Sequence, residues 1–217
     1  MMRGILFTAA VLSALSLASG CDITATTDGE PTADQNDQAN DADGQPSTEG
    51  VIALWDFEPV VAIPVGSREP AEVAAHVTAS TFTSSDGSPS TTVSGPVYWL
   101  TENGWFDANT YLSCTLQADD GYEIQSLTLE FDQAALADSG PSTWALRSSA
   151  DGFATDLATG DVSIYPDYAP HMIDLTGITI GTTAVEFRWI GAGTPSGSNV
   201  SWGLDNVTFS GEVLPAS

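Results

Sequence analysis

Apolar and polar residues alternate in short runs from residue 51 onward. In the segment AVEFRWIG, Val185, Phe187 and Trp189 point to one face of an extended chain. Glu186 and Arg188 point to the opposite face. This period of two predicts a half-buried antiparallel strand whose three apolar side chains lie in a core.

Eight segments share this character, because they are rich in β-branched and aromatic residues and are bounded by turn residues. They are VIALWDFE, YLSCTLQ, IQSLTLEFD, TWALRSS, DVSIY, GITIG, AVEFRWIG and WGLDNVTFSG. In IQSLTLEFD, the side chains of Leu127, Leu129 and Phe131 form the predicted inner row. The segment EPAEVAAHV, residues 69–77, is either helix-like or an edge strand. We predict one all-β domain over residues 51–217, a two-sheet antiparallel jelly-roll sandwich.

The first residues have the pattern of a secretory signal. Arg3 precedes an apolar run, residues 5–17, that is too short to span a bilayer. Residues 17–21, Leu-Ala-Ser-Gly-Cys, resemble the bacterial lipobox, which implies cleavage before Cys21 and attachment of lipid, such as palmitate, to that residue. We expect residues 1–20 to be a lipoprotein signal peptide and the lipidated Cys21 to anchor the protein in a membrane. An ordinary signal peptide that contains a Cys is the alternative.

Residues 21–50 have the composition of a tether. After Cys21 this segment carries eight acidic residues, no basic or aromatic residue, and Ile23 as its one large aliphatic residue. Such a segment buries too little apolar surface to offset the entropy of ordering, and its like charges extend the chain. We expect a disordered acidic linker between the membrane and the domain, with an acidic interaction tail as the alternative.

The chain is strongly acidic. It has 29 Asp and Glu residues against 4 Lys and Arg residues, which gives a formal net charge of −25 at pH 7. We expect no binding to nucleic acid, because no basic patch can displace the counterions of phosphates. The acidity favours solubility or, alternatively, affinity for cations. We expect a monomer in the cell envelope that faces the periplasm or the exterior.

Catalytic motifs are sparse. The chain has two His residues, His76 and His171, and neither lies in a recognised metal-binding motif. Cys114 has no obvious His partner, and it shares a predicted strand face with Leu112 and Leu116, so we expect a small buried hydrophobic residue. We therefore expect no enzyme activity. A glycoside hydrolase that uses two of the many carboxylates is the alternative.

Aromatic residues are concentrated in the segment GPVYWLTENGWFDANTY. Sugar-binding sites combine aromatic faces, which cover the apolar face of a sugar ring, with carboxylates and amides that bind its hydroxyl groups. We predict a glycan-binding site that uses Trp99, Asn103, Trp105 and Asp107. The alternative is that the aromatic rings of this segment fill the core of the sandwich.

The segment RSSADGFATDL combines the end of a strand with a turn. Asp151 and Gly152 form a strong turn signal, and we expect Phe153 to cover the core beneath it. Arg147 is one of three basic residues that follow Arg3. We expect Arg147 to pair with a carboxylate or to bind backbone carbonyls.

The segments ALWDFE, TWALRSSADGFATDLATG and WGLDNVTFSG resemble the secreted β-sandwich domains of bacterial surface proteins with PEP-CTERM-type or lipobox anchors. The resemblance covers residues 51–217 and implies a jelly roll related in architecture to carbohydrate-binding modules. It also implies a structural Ca²⁺ where the first and last strands meet, with Asp56, Glu58 and Asp205 as oxygen ligands. Alternatively, Asp205 and Asn206, which are unusual in a strand, satisfy backbone groups at a β-bulge.

These observations lead to one expected function and one alternative from another class. We expect a lipid-anchored envelope protein with a non-catalytic jelly-roll module that binds polysaccharide. The alternative is a purely structural or adhesive surface protein whose aromatic residues are all buried.

Overall fold

The structure is a computed structural model that describes residues 48–57, 67–85, 98–102, 109–135, 140–193 and 200–217. Thirteen β-strands lie in these residues. The strands are β1 (Thr48–Trp55), β2 (Ser67–Arg68), β3 (Glu72–Val73), β4 (Val77–Ala79), β5 (Phe82–Ser84), β6 (Tyr98–Glu102), β7 (Tyr111–Ala118), β8 (Tyr122–Ala135), β9 (Thr143–Ser148), β10 (Ala158–Asp161), β11 (Ala169–Asp174), β12 (Val185–Ala192) and β13 (Val200–Pro215). A 3-10 turn, Ser149–Asp151, follows β9. Within these ranges no helix is long and apolar enough to cross a membrane.

The strands form two sheets. A six-stranded sheet has the order β11-β8-β13-β1-β3, with β6 also paired to β13. A seven-stranded sheet has the order β10-β9-β12-β7-β5-β2, with β4 also paired to β7. Every ladder in both sheets is antiparallel. The predicted two-sheet antiparallel sandwich of the jelly-roll class is therefore confirmed.

The first and last strands are neighbours in the six-stranded sheet. The register of β1 against β13 runs from the pair Thr48 and Val213 to the pair Trp55 and Val207. Strand β13 also pairs with β8, so the end of the chain lies in the interior of the sheet. Because β1 begins to pair at Thr48, the described strand starts three residues before the predicted domain boundary at residue 51.

The core lies between the sheets and is rich in aromatic rings. Phe131 of the six-stranded sheet packs edge-on against Trp144 and Trp189 of the seven-stranded sheet, with ring centroids 5.2 and 5.9 Å apart. Alternation produces this layer, since every second residue of a strand points inward. The predicted inner rows of AVEFRWIG and IQSLTLEFD are buried, which confirms the prediction of a half-buried strand in both segments.

Cys114 is also part of this core. It is free and buried, on β7 between Leu112 and Leu116, as its sequence pattern predicts. Burial, with a smaller effect of the nearby Glu186 carboxylate, raises the pKa of the Cys114 thiol well above its ordinary value. The thiol is therefore an inert apolar group in the core.

Two predicted strands are absent or reduced to a single bridge in the structure. The segment DVSIY does not form a strand, because β10 ends at Asp161. The segment GITIG contributes only an isolated bridge, at Ile180. Of the two alternatives for EPAEVAAHV, the edge strand is confirmed, because the segment contains β3 at the edge of the six-stranded sheet. The first residue of β4 follows after a turn in which His76 has a φ of 62°. Strand β11 escapes prediction because its apolar Met172 is 72% exposed, which breaks the alternation.

Candidate functional site

Strands β9, β10 and β12 present small and polar side chains on the outer face of the seven-stranded sheet. Trp144 of β9 and Trp189 of β12 are buried in the core, so the residues next to them in each strand point outward. Ala145 is paired with Ile190 on one side and with Thr159 on the other. These three outward residues therefore form a row across the three strands.

This row lies in a groove, called the outer groove below, with a volume of about 470 Å³. Binding pockets for small ligands usually have volumes of about 300–1,000 Å³. The residues that line the groove are Thr143, Trp144, Ala145, Arg147, Asp156, Thr159, Gly160, Asp161, Ile190, Gly191 and Ala192. Gly160 has to be small, because a Cβ atom there would lie 2.9 Å from Nε1 of Trp144.

The outer groove contains side chains that donate hydrogen bonds and side chains that accept them, and it carries both positive and negative charges. Arg147 donates from Nε to Oδ1 of Asp156 at 2.6 Å, which confirms the expectation that Arg147 pairs with a carboxylate. Asp161 supplies a second carboxylate, and Thr143 and Thr159 supply hydroxyl groups. A ligand rich in hydroxyl groups would find both donors and acceptors in this groove.

The turn after β9 holds Asp156 in place. Gly152 ends the 3-10 turn in the left-handed conformation, with a φ of 71°, as the predicted turn requires. The Asp151 carboxylate accepts hydrogen bonds from the backbone N–H groups of Ala154 and Thr155, at 3.1 and 3.0 Å, and from the Thr155 hydroxyl. The bond from the Thr155 hydroxyl, helped by the backbone donors, lowers the pKa of Asp151. The charged carboxylate thus fixes the loop that carries Asp156.

A second cation lies beside the groove on the same face. Arg188 of β12 donates from Nε and Nη2 to Glu186 at 2.9 and 2.8 Å. The Arg188 guanidinium also lies 4.2 Å from the ring centroid of Tyr111 and 3.7 Å from that of Phe153. The expectation that Phe153 covers the core is wrong, because its half-buried ring stacks on Arg188 on the outer face.

A buried amide connects the two sheets beneath the groove. The Gln133 side chain of β8 is fully buried and accepts a hydrogen bond from Nε1 of Trp202 at 3.2 Å. Its Nε2 donates to the carbonyl of Asp161 at 3.1 Å and faces Nε2 of His171 at 3.3 Å. His171 also packs against the Phe131 and Trp144 rings. Gln133 therefore links the six-stranded sheet to β10, one wall of the groove.

The aromatic segment predicted to bind glycan lies mostly outside the described residues. Trp99 lies in β6, where its backbone pairs with Gly203 of β13. Asn103, Trp105 and Asp107 fall outside the described residues. Their involvement in ligand binding therefore stays a prediction. The outer groove was not predicted, because its residues come from three separate strands and most are small.

A β-bulge accounts for the polar residues of the closing strand. The register of β13 against β8 shifts between Asp205 and Thr208, and Asn206 adopts a φ of 50°. The Asp205 carboxylate accepts a hydrogen bond from the Asn206 N–H at 2.8 Å, and the Asn206 amide donates to Asp132 at 3.0 Å. Asn tolerates this left-handed backbone better than most residues. The bulge alternative therefore explains Asp205 and Asn206 without a ligand.

The bulge also bears on the implied Ca²⁺ site. Asp56 follows Trp55, which pairs with Val207, so Asp56 lies just past the end of β1 and beside the part of β13 that contains Asp205. Glu58 lies outside the described residues, and those residues contain no group of three side chains suited to hold a metal. Burial raises the pKa of Tyr168 to about 12, with a smaller contribution from the Asp205 carboxylate. The backbone register thus places two of the three implied ligands in or just past neighbouring strands, and Ca²⁺ stays a prediction.

No family model and no curated protein sequence matches the chain. The chain is similar to the xylan-binding domain CBM22-1 of Paenibacillus barcinonensis Xyn10C, with 11% identity, a TM-score of 0.41 and coverage of 80% of this chain and 100% of that chain. It is also similar to the K3 cleaved adhesin domain of Lys-gingipain from Porphyromonas gingivalis W83, with 15% identity, a TM-score of 0.38 and coverage of 74% and 97%. A mutant of the family 29 carbohydrate-binding module CBM29-2 has 13% identity, a TM-score of 0.34 and coverage of 67% and 89%. At these scores the neighbours carry no argument about a ligand.

Acid should weaken the link between Gln133 and His171. Burial lowers the pKa of His171, and the Asp132 carboxylate opposes this shift. The folded state therefore binds the His171 proton less readily than the unfolded state, whose His pKa is about 6.5. The stability that His171 contributes should be present above this pH and lost as the pH falls below it. We expect the free energy of unfolding, measured with urea, to decrease more between pH 7 and pH 5 in the wild type than in His171→Gln. An equal decrease in the two proteins would contradict the role of His171 in this pH dependence.

Removal of Ca²⁺ tests the metal prediction. A bound ion stabilises the folded state by about 2.7 kcal/mol when its concentration is one hundred times the dissociation constant. We expect a chelator to lower the melting temperature of the wild type but not that of Asp205→Ala, with the exposed Asp120→Ala as the control variant. A wild-type melting temperature that does not respond to the chelator would leave the β-bulge as the sole explanation of Asp205.

Proposed function

We propose that this chain is a lipid-anchored protein of the cell envelope whose sandwich domain binds glycans without modifying them. The observation that supports this proposal most directly is the outer groove, which has an open face, a floor of small side chains and polar groups at its sides. The predicted acidic tether would separate the domain from the membrane. The residues of this proposed site are different from those of the aromatic segment that the sequence favoured.

The chemistry of the groove suits a sugar ring. Ala145 leaves room for a flat ring to approach the sheet, and Ile190, which is 9% exposed, is the apolar side chain beside it. Tyr111 is paired with Ile190 in the next strand, so its ring extends the row beyond the groove. Arg147 donates hydrogen bonds and Asp161 accepts them, which matches the two ways in which hydroxyl groups bind proteins. Apolar contact with a few fixed polar groups is the usual composition of a ligand pocket.

The groove lacks the arrangement that glycoside hydrolysis needs. That reaction uses one carboxyl group that stays protonated in apolar surroundings and a second one that is ionised. Asp156 contacts the Arg147 guanidinium, and Asp161 is exposed to water. Neither carboxyl group has the apolar surroundings of a general acid, which supports a binding module.

A substitution that fills the groove tests the proposal. Ala145→Leu places a large side chain at the centre of the row, so we expect at least a tenfold loss of affinity for any polysaccharide that the wild type binds, about 1.4 kcal/mol or more. Ligands would be found with a glycan array, and affinities measured by titration calorimetry with cell-wall and algal polysaccharides. Thr128→Leu, on the outer face of the six-stranded sheet, is the matched control and should bind as the wild type does.

Two further outcomes distinguish the alternatives. Loss of binding in Trp105→Ala, with full binding in Ala145→Leu, would place the site in the aromatic segment instead. Absence of binding to every polysaccharide would favour a structural or adhesive protein.

The lipid anchor is proposed from the lipobox-like segment and has its own test. We expect Cys21→Ser to move the protein from the membrane fraction to the soluble fraction and to abolish labelling by a palmitate analogue. A wild-type protein that takes up no label would contradict the proposed anchor.

A further inference from the structure

We propose that the outer groove selects uncharged polysaccharides and rejects chains that carry uronate or sulfate groups. This inference rests on the proposed glycan binding and concerns the charge of the ligand. It follows from the partners of the basic side chains on this face of the domain.

Arg147 is the basic residue among those that line the outer groove. Its Nε atom contacts Oδ1 of Asp156 at 2.6 Å, and Asp156 lines the same groove. Both side chains are partly exposed, at 34% and 40%. A carboxylate or sulfate group of a ligand would have to compete with Asp156 for the same guanidinium. Arg147 therefore offers hydrogen-bond donors to the groove without an unmatched positive charge.

Arg188, a second cation on this face, is also paired with a carboxylate. It lies directly opposite Arg147 in the register of β9 and β12. Glu186 accepts two hydrogen bonds from its guanidinium, and the rings of Tyr111 and Phe153 cover that group at 4.2 and 3.7 Å. Arg188 is thus bound to a carboxylate of its own strand, and it supplies no free charge to a ligand in the groove.

Apart from the ion pair of Arg147 and Asp156, the charge of the groove is negative. Asp161 adds a second carboxylate, so the charged lining residues are Arg147, Asp156 and Asp161. The whole chain has a formal charge of −25, which adds long-range repulsion toward polyanions. Carboxylates are strong acceptors for hydroxyl groups. A neutral sugar can donate hydroxyl groups to them, whereas an acidic sugar brings like charges together.

Release of Arg147 from its partner tests the inference. The full chain, as wild type and as Asp156→Asn, would be titrated with neutral probes, a glucan, a mannan and a xylan, and with acidic probes, alginate, polygalacturonate and a sulfated galactan. We expect the wild type to bind at least one neutral probe more tightly than any acidic probe. In Asp156→Asn, the ratio of acidic to neutral affinity should rise about threefold to fivefold at low salt, the effect of one exposed ion pair. The rise should disappear at high salt.

Two controls separate the local charge from the total charge. Asp120→Asn removes one charge from an exposed turn outside the groove and should leave the ratio of affinities unchanged. The double variant Arg147→Gln with Asp156→Asn should cancel the gain, because the released guanidinium is gone. Circular dichroism and melting temperature would show that each variant is folded.

Three results would overturn the inference. The first is a wild type that binds an acidic probe more tightly than every neutral probe, which leaves glycan binding itself intact. The second is an equal change of the ratio in Asp156→Asn and Asp120→Asn. The third is absence of binding to both classes of probe, which overturns the proposed function and this inference with it.

Discussion

Burial of Trp144 and Trp189 between the sheets is the constraint on which the outer groove depends. Both side chains are at most 2% exposed, and truncation of such a residue to Ala usually costs about 3–5 kcal/mol. A shift of one residue in the register of β9 or β12 would expose these rings to water. The same shift would bring Ala145 or Ile190 into the core. The register is therefore fixed by the core, and the composition of the outer face follows from it.

Hydrogen bonds of two polar side chains, Gln133 and Asp151, hold the segments around the groove in place. Gln133 uses its buried amide to join β8 to β10, since its Nε2 donates to the carbonyl of Asp161. Asp151 binds the backbone of the loop that brings Asp156 to Arg147. Each of these polar side chains satisfies backbone or side-chain groups near the groove. The groove thus combines a rigid floor of strands with a wall held by hydrogen bonds.

The sequence predicted the parts of the fold that depend on local pattern. Strand β12 was predicted from alternation alone, because Phe187 and its inner neighbours signal burial within one strand. Strand β11 was missed because the outward Met172 and the inward His171 break the alternation of apolar and polar residues, and the partner of His171, Gln133, is 38 residues away. The groove was missed for a similar reason, since Ala145 and Gly191 carry no chemical signal until two strands are paired. Long-range pairing, and not composition, creates this candidate site.

Backbone chemical shifts would test the location of the site most directly. A ¹⁵N-labelled protein would be titrated with a neutral oligosaccharide that the wild type binds. The account predicts the largest shifts at Ala145, Thr159 and Gly191, which line the groove, and small shifts at residues 98–102. Large shifts in residues 98–102, with none in β9, β10 and β12, would contradict it.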